Sequence, residues 1–82
     1  MKTHKLKIEP KYFKPVEQGY KTFEIRKNDR NFQVNDMLVL QEYDRHQQKY
    51  TGRSLSAIIV YITDYMQKPN YVVMSILPTQ KH

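Results

Sequence analysis

At 82 residues the chain can bury one modest hydrophobic core, so it reads as a single domain spanning 1–82. A hydrophobic share of 39%, spread along its length, separates it from disordered chains, and the lack of cysteine excludes disulfides, thiolate metal sites and thiol nucleophiles. The net charge of +6 is uneven: residues 1–30 carry nine Lys or Arg against four acids, and so hold five of the six net positive charges. Focused basicity favours phosphate-bearing partners, although lysines that keep a small domain dissolved explain charge alone equally well.

His4 to Ile8 alternates His4, Leu6 and Ile8 with Lys5 and Lys7, the period of a half-buried strand. From Pro10 to Gln18, Tyr12, Phe13 and Val16 form the apolar stripe of one short helix that ends at Gly19, with Pro15 as an obstacle inside it. Thr22 to Lys27 alternates again, and the expectation is that Phe23 and Ile25 enter the core while Thr22, Glu24 and Arg26 share a polar face. Val34, Asn35 and Asp36 then mark a turn in which the asparagine takes positive φ. Met37 to Tyr43 and Leu55 to Ile62 read as a hairpin with a long polar tip, and Tyr71 to Leu77 as the last strand. Together these elements predict an α+β, mostly β chain: a small barrel of about five strands with one helix after the first.

Several chemistries are set aside at once. The longest apolar run, Ala57 to Ile62, is far too short for a membrane helix, and a charged start from Lys2 with no cysteine suits the cytoplasm. His4, His46 and His82 are far apart in sequence, so neither a metal nor another cofactor is expected. His4, on the apolar face of its strand, reads as a hydrogen-bonded structural histidine, and Asp44 and Asp64 as solvated loop carboxylates. No oligomeric state is demanded.

The run from Gly19 to Arg30 differs in kind, because it crowds polar and cationic side chains onto one short strand and the loop that leaves it. Taken alone, Glu24 and Arg26 are explained as well by a salt bridge at a barrel edge, which is worth little when exposed. The pattern G-x-K-x-x-E-x-R, formed by Gly19, Lys21, Glu24 and Arg26 after a short helix, nevertheless resembles the signature of the ASCH group in the PUA-like superfamily. The flanks, His4 to Ile8, Thr22 to Asp29, Phe32, Val34, Asp36 and Tyr71 to Ile76, are similar to a bacterial and phage subgroup of that group. Pro15, and Asn35 where glycine is usual, depart from it in the scaffold.

The resemblance implies a small, partly open β-barrel with a cleft beside the helix, lined by Lys21, Glu24 and Arg26, that binds RNA or a nucleotide. Arg26 suits a phosphate or a guanine edge, Glu24 an exocyclic amine or Arg26 itself, and Lys21 adds a mobile charge. Lys7, Thr22, Lys27, Asn28 and Arg30 complete the expected ligand-binding set, and Tyr20, Tyr12 or Phe32 are candidates to stack on a base. A rival implication is an amidohydrolase acting on N4-acylated cytidine or a related nucleoside, with Lys21 and Glu24 as candidate catalytic residues. Against it, Glu24 stands where those enzymes carry threonine, and Asp64 is the one acid available for their second acidic position.

Overall fold

A computed structural model describes residues 1–80 of the chain, and His82 lies outside the described residues. The elements follow in the order β1 (Thr3–Ile8), α1 (Pro10–Glu17), β2 (Phe23–Lys27), β3 (Met37–Asp44), β4 (Lys49–Thr63) and β5 (Tyr71–Gln80). They build an α+β, mostly β domain in which one five-stranded sheet, ordered β1-β3-β4-β5-β2, curls into a half-barrel with a short helix after its first strand. The β1–β3 pair is parallel and the other pairs are antiparallel.

Alternation builds the sheet's inner face. On β1, His4, Leu6 and Ile8 are buried, and on β3 Leu38 and Leu40 continue the same side. Phe13 and Val16 of α1 reach this core and are almost wholly buried, and the helix packs on β3. Pro10 opens α1, where a missing amide hydrogen costs nothing. Pro15 costs α1 one amide bond, and its carbonyl accepts the Tyr20 and Lys21 amides beyond the helix end.

The end of α1 decides where the next residues go. Gly19 takes φ +83, so its amide reaches the Val16 carbonyl and that of Tyr20 the Pro15 carbonyl, a Schellman closure. The Lys21 amide bonds Pro15 as well, which anchors Lys21 directly beneath the helix.

Two boundaries differ from expectation. β4 begins at Lys49, so the β3–β4 hairpin tip is four residues long rather than a long polar loop. Polar residues extend the ladder there because their side chains have partners. Tyr50 packs edge-on against Tyr43 at 5.0 Å, and the Asp44 carboxylate accepts the His46 and Gln47 amides to shape the turn. β5 likewise runs past Leu77. Asn35 adopts φ +78, the positive value read from its sequence context, and donates its amide to the Ile59 carbonyl.

Candidate functional site

The sheet order leaves β1 and β2 as the two unpaired edges, and the half-barrel is open between them. Side chains from the second edge bridge the gap. Arg26 Nη2 donates to the Lys7 carbonyl at 2.9 Å, and Arg30 Nη1 to the Lys5 carbonyl at 2.9 Å. Alternate carbonyls along a free strand edge point the same way, so two guanidinium groups satisfy the side of β1 that no strand covers.

Here the expected facing of β2 is overturned. Glu24 is 3% exposed, whereas Phe23 and Ile25 are 40% and 50% exposed. Opposed positions in the β2–β5 ladder share a face, and Glu24 stands opposite the buried Met74, as Arg26 does opposite Val72. An alternating strand can present either face inward, and hydrophobicity favours the other one. What turns Glu24 and Arg26 inward is their position at the mouth of an open barrel, where the β1 carbonyls require donors and a buried carboxylate can be paired on both oxygens.

That pairing is complete. Glu24 Oε2 accepts from Lys21 Nζ at 2.5 Å, and Oε1 accepts from Arg26 Nε at 3.0 Å with Nη2 at 2.8 Å. Lys21 Nζ also donates to the Phe23 carbonyl at 2.7 Å. Among the described residues no buried side-chain nitrogen or oxygen lacks a hydrogen-bond partner. The cluster is therefore a fixed cationic pair held by one carboxylate, with a net charge of one. Lys21 lies 4.9 Å from the centre of the Phe23 ring and 5.6 Å from that of Tyr12.

These residues line a cleft of about 410 Å³ whose walls also include Ile8, Glu9 and Ile25. That volume suits a ligand of nucleotide size. Its charged groups face two aromatic rings. Among the described residues, Arg26 Nη1 and one N–H of Lys21 have no named partner, so cationic donors remain for an anionic or carbonyl-bearing ligand.

The structure brings together Lys21, Glu24 and Arg26 and disperses the other expected binding residues. Lys7 contributes its carbonyl to the cleft, while its ammonium sits 4.2 Å over the Tyr43 ring. Thr22 and Lys27 are exposed outside the cleft walls. Asn28 Oδ1 accepts the Phe32 amide, and the residue lines a separate depression with Asp64 and Lys68. Arg30 is occupied at the seam. Of the stacking candidates, Tyr12 borders the cleft, Tyr20 is exposed away from it, and Phe32 is buried edge-on against His4 at 4.8 Å.

Three residues escaped the sequence reading. Phe23, expected in the core, is half-exposed and flanks Lys21. Glu9, at the β1–α1 junction, places a second carboxylate on the cleft wall, where Arg45 lies 3.4 Å from it. Glu42 is buried on β3, where it accepts from Thr51 Oγ1 at 2.6 Å. Its neighbour Arg53 pairs with Glu17 and lies 4.9 Å over the Phe13 ring, and the Glu17 contact raises the Arg53 pKa. Inward alternation along β3 puts Glu42 on the core face, a signal present in the sequence.

At the opposite end of β1, His4 Nε2 lies 2.8 Å from Asp36 Oδ2, and the Lys2 and Gln33 amides donate to the same carboxylate. Hydrogen bonding by His4 first, and by the Lys2 amide second, lowers the Asp36 pKa to about 2. His4 and Asp36 thus fasten β1 to the turn before β3. Among the described residues, no group of three or more His, Cys, Asp or Glu is placed to hold a metal ion, and no helix is long and apolar enough to cross a membrane.

Comparison with known proteins places this architecture in a family. Residues 3–76 match the family described as a domain of unknown function, DUF3850. The chain is also similar to an uncharacterised 12.9 kDa protein in the GpA 3′ region of Escherichia phage P2, with 43% identity over 63 residues. That alignment covers 77% of this chain and 56% of the phage protein, so the chain spans little more than half the length of that relative. The family match over residues 3–76 contains every element from β1 to most of β5, and with it the Lys21–Glu24–Arg26 cluster: the chain belongs to the DUF3850 family.

Proposed function

We propose that the domain binds RNA or a nucleotide in the cleft between its two open sheet edges, as a relative of the ASCH group of PUA-like domains. The observation that carries this reading is the buried Glu24 carboxylate holding Lys21 and Arg26 side by side in a nucleotide-sized cleft. A buried carboxylate that fixes two cations spends their mobility before any ligand arrives, which favours binding of an anion or a carbonyl edge. Tyr12 and Phe23 supply apolar walls on which a base can stack. The absence of cysteine fits a cytoplasmic setting, where such ligands abound.

Titration calorimetry with nucleoside monophosphates and short single-stranded RNA tests the reading. Affinity is expected to fall steeply with salt and to drop at least about tenfold in Arg26→Ala, the loss of one charge-assisted contact. Failure to bind either class of ligand at low salt would refute it.

One observation favours a hydrolytic reading: Lys21 and Glu24, the two candidate catalytic groups, lie 2.5 Å apart on the cleft wall. Glu9 on the cleft wall is a second acid, whereas Asp64, the acid expected to fill that role, lies in another depression. Incubation with N4-acetylcytidine, read by release of cytidine, decides the matter. Turnover abolished by Lys21→Ala would establish catalysis, and no turnover at high protein concentration would retire it for this substrate.

A further inference from the structure

The outer face of the half-barrel does not follow the usual apolar-in, polar-out division of a sheet with one wet side. Across β2, β5 and β4 the outward positions in register are Phe23, Ser75 and Tyr61. The next row holds Ile25 and Val73. Phe23 and Tyr61 are 40% and 62% exposed and stand two strand spacings apart, roughly 10 Å, with the small Ser75 between them. Phe23 also forms part of the cleft wall beside Lys21, so cleft and outer row are continuous through one ring.

We propose that the ligand is a single-stranded nucleic acid rather than a lone nucleotide, and that it leaves the cleft over Phe23 and crosses the sheet to Tyr61, one base stacking on each ring. The inference rests on the reading of the cleft as a nucleotide site. Charge selects this occupant over a second copy of the chain. None of the outward positions just named carries a carboxylate, Lys27 ends β2 on the same face, and Lys21 lies two residues before the strand begins. A face whose strand positions here bring a cation and no carboxylate favours a phosphate backbone over its own copy. Rings on an open sheet stack unpaired bases without regard to sequence, and the gap over Ser75 leaves room for the bases themselves.

The test compares nucleoside monophosphates with single-stranded oligoribonucleotides of increasing length, by calorimetry or fluorescence anisotropy at low salt. Affinity is expected to rise with length and level off within about four to six nucleotides. Tyr61→Ala should weaken the longer oligonucleotides at least about fivefold while leaving monophosphate binding unchanged, and Tyr61→Phe should bind as the parent does. Tyr61 is largely exposed, so an unchanged thermal melt is expected for both variants. Length-independent affinity, or oligonucleotide binding insensitive to Tyr61→Ala, overturns the inference and leaves the cleft reading standing. Sedimentation as a dimer that Tyr61→Ala converts to monomer also overturns it. No binding by monophosphate or oligonucleotide fails the cleft reading itself, and the inference with it.

Discussion

Glu24→Gln keeps the shape of the buried side chain and removes its charge, which isolates the electrostatic work of the cluster. In the parent protein each carboxylate oxygen meets a different cation, Lys21 at 2.5 Å and Arg26 at 2.8 to 3.0 Å. An amide offers one acceptor and turns a donor toward the other cation, so one charge-assisted contact is lost and the second weakened. A contact of this kind contributes about 1.5–3 kcal/mol. The side chains of Lys21 and Arg26 remain 18% and 26% exposed, and the freed cation can partly rehydrate, which holds the expected loss near 2 kcal/mol. In urea, with a slope of roughly 1 kcal/mol per M for so small a domain, the unfolding midpoint should fall by about 2 M. The double variant Glu24→Gln with Lys21→Met should recover part of that loss, because the uncompensated ammonium is gone. A midpoint for Glu24→Gln within about 0.3 M of the parent would refute the reasoning, since it would mean that the cluster is solvated and unstrained by loss of its anion.

Arg26→Lys is expected to cost about 1 kcal/mol, because a compact ammonium replaces the planar fork whose Nε and Nη2 reach Glu24 and the Lys7 carbonyl in fixed directions, whereas Arg30→Lys at the more exposed end of the seam should cost under about 0.5 kcal/mol; thermal melts of the pair give the comparison. Asp36 makes stability pH-dependent. Its folded pKa of about 2 lies below the ordinary 3.8, so the unfolded chain binds more protons between these values and stability falls as pH drops from 3.8 through about 2. Urea midpoints over that range should decline less steeply in Asp36→Asn than in the parent, although the variant is less stable at neutral pH. Asn35→Gly should raise stability by up to about 1 kcal/mol, since glycine adopts φ +78 without the penalty of a side chain, and calorimetric melting checks the sign.

Alternation and turn chemistry made most of the scaffold legible in the sequence: the half-buried first strand, the helix ended by Gly19, the positive φ of Asn35 and a five-stranded, mostly β domain all follow from local preferences that the tertiary fold respects. The Lys21–Glu24–Arg26 cluster was legible too, because its members are close in the chain and the motif spacing marks them. The short hairpin tip is not legible in the sequence, because the partners that keep Tyr50 and Thr51 in the ladder, Tyr43 and Glu42, lie on the opposing strand.

Length, charge and residue order were thus enough to indicate one small basic barrel, and the resemblance carried by the G-x-K-x-x-E-x-R spacing marked the three residues at its cleft. Tertiary structure alone decided which way β2 faces. Period-two alternation is symmetric between the two sides of a strand, and the choice rests on what each side meets: for Glu24 and Arg26 it is Lys21 and the unpaired carbonyl of β1, and for Phe23 and Ile25 it is solvent at the rim of a cleft. The sheet order that leaves β1 and β2 as facing edges is set by pairings distant in sequence, and from it come the seam, the cleft and the exposed aromatic row beside it.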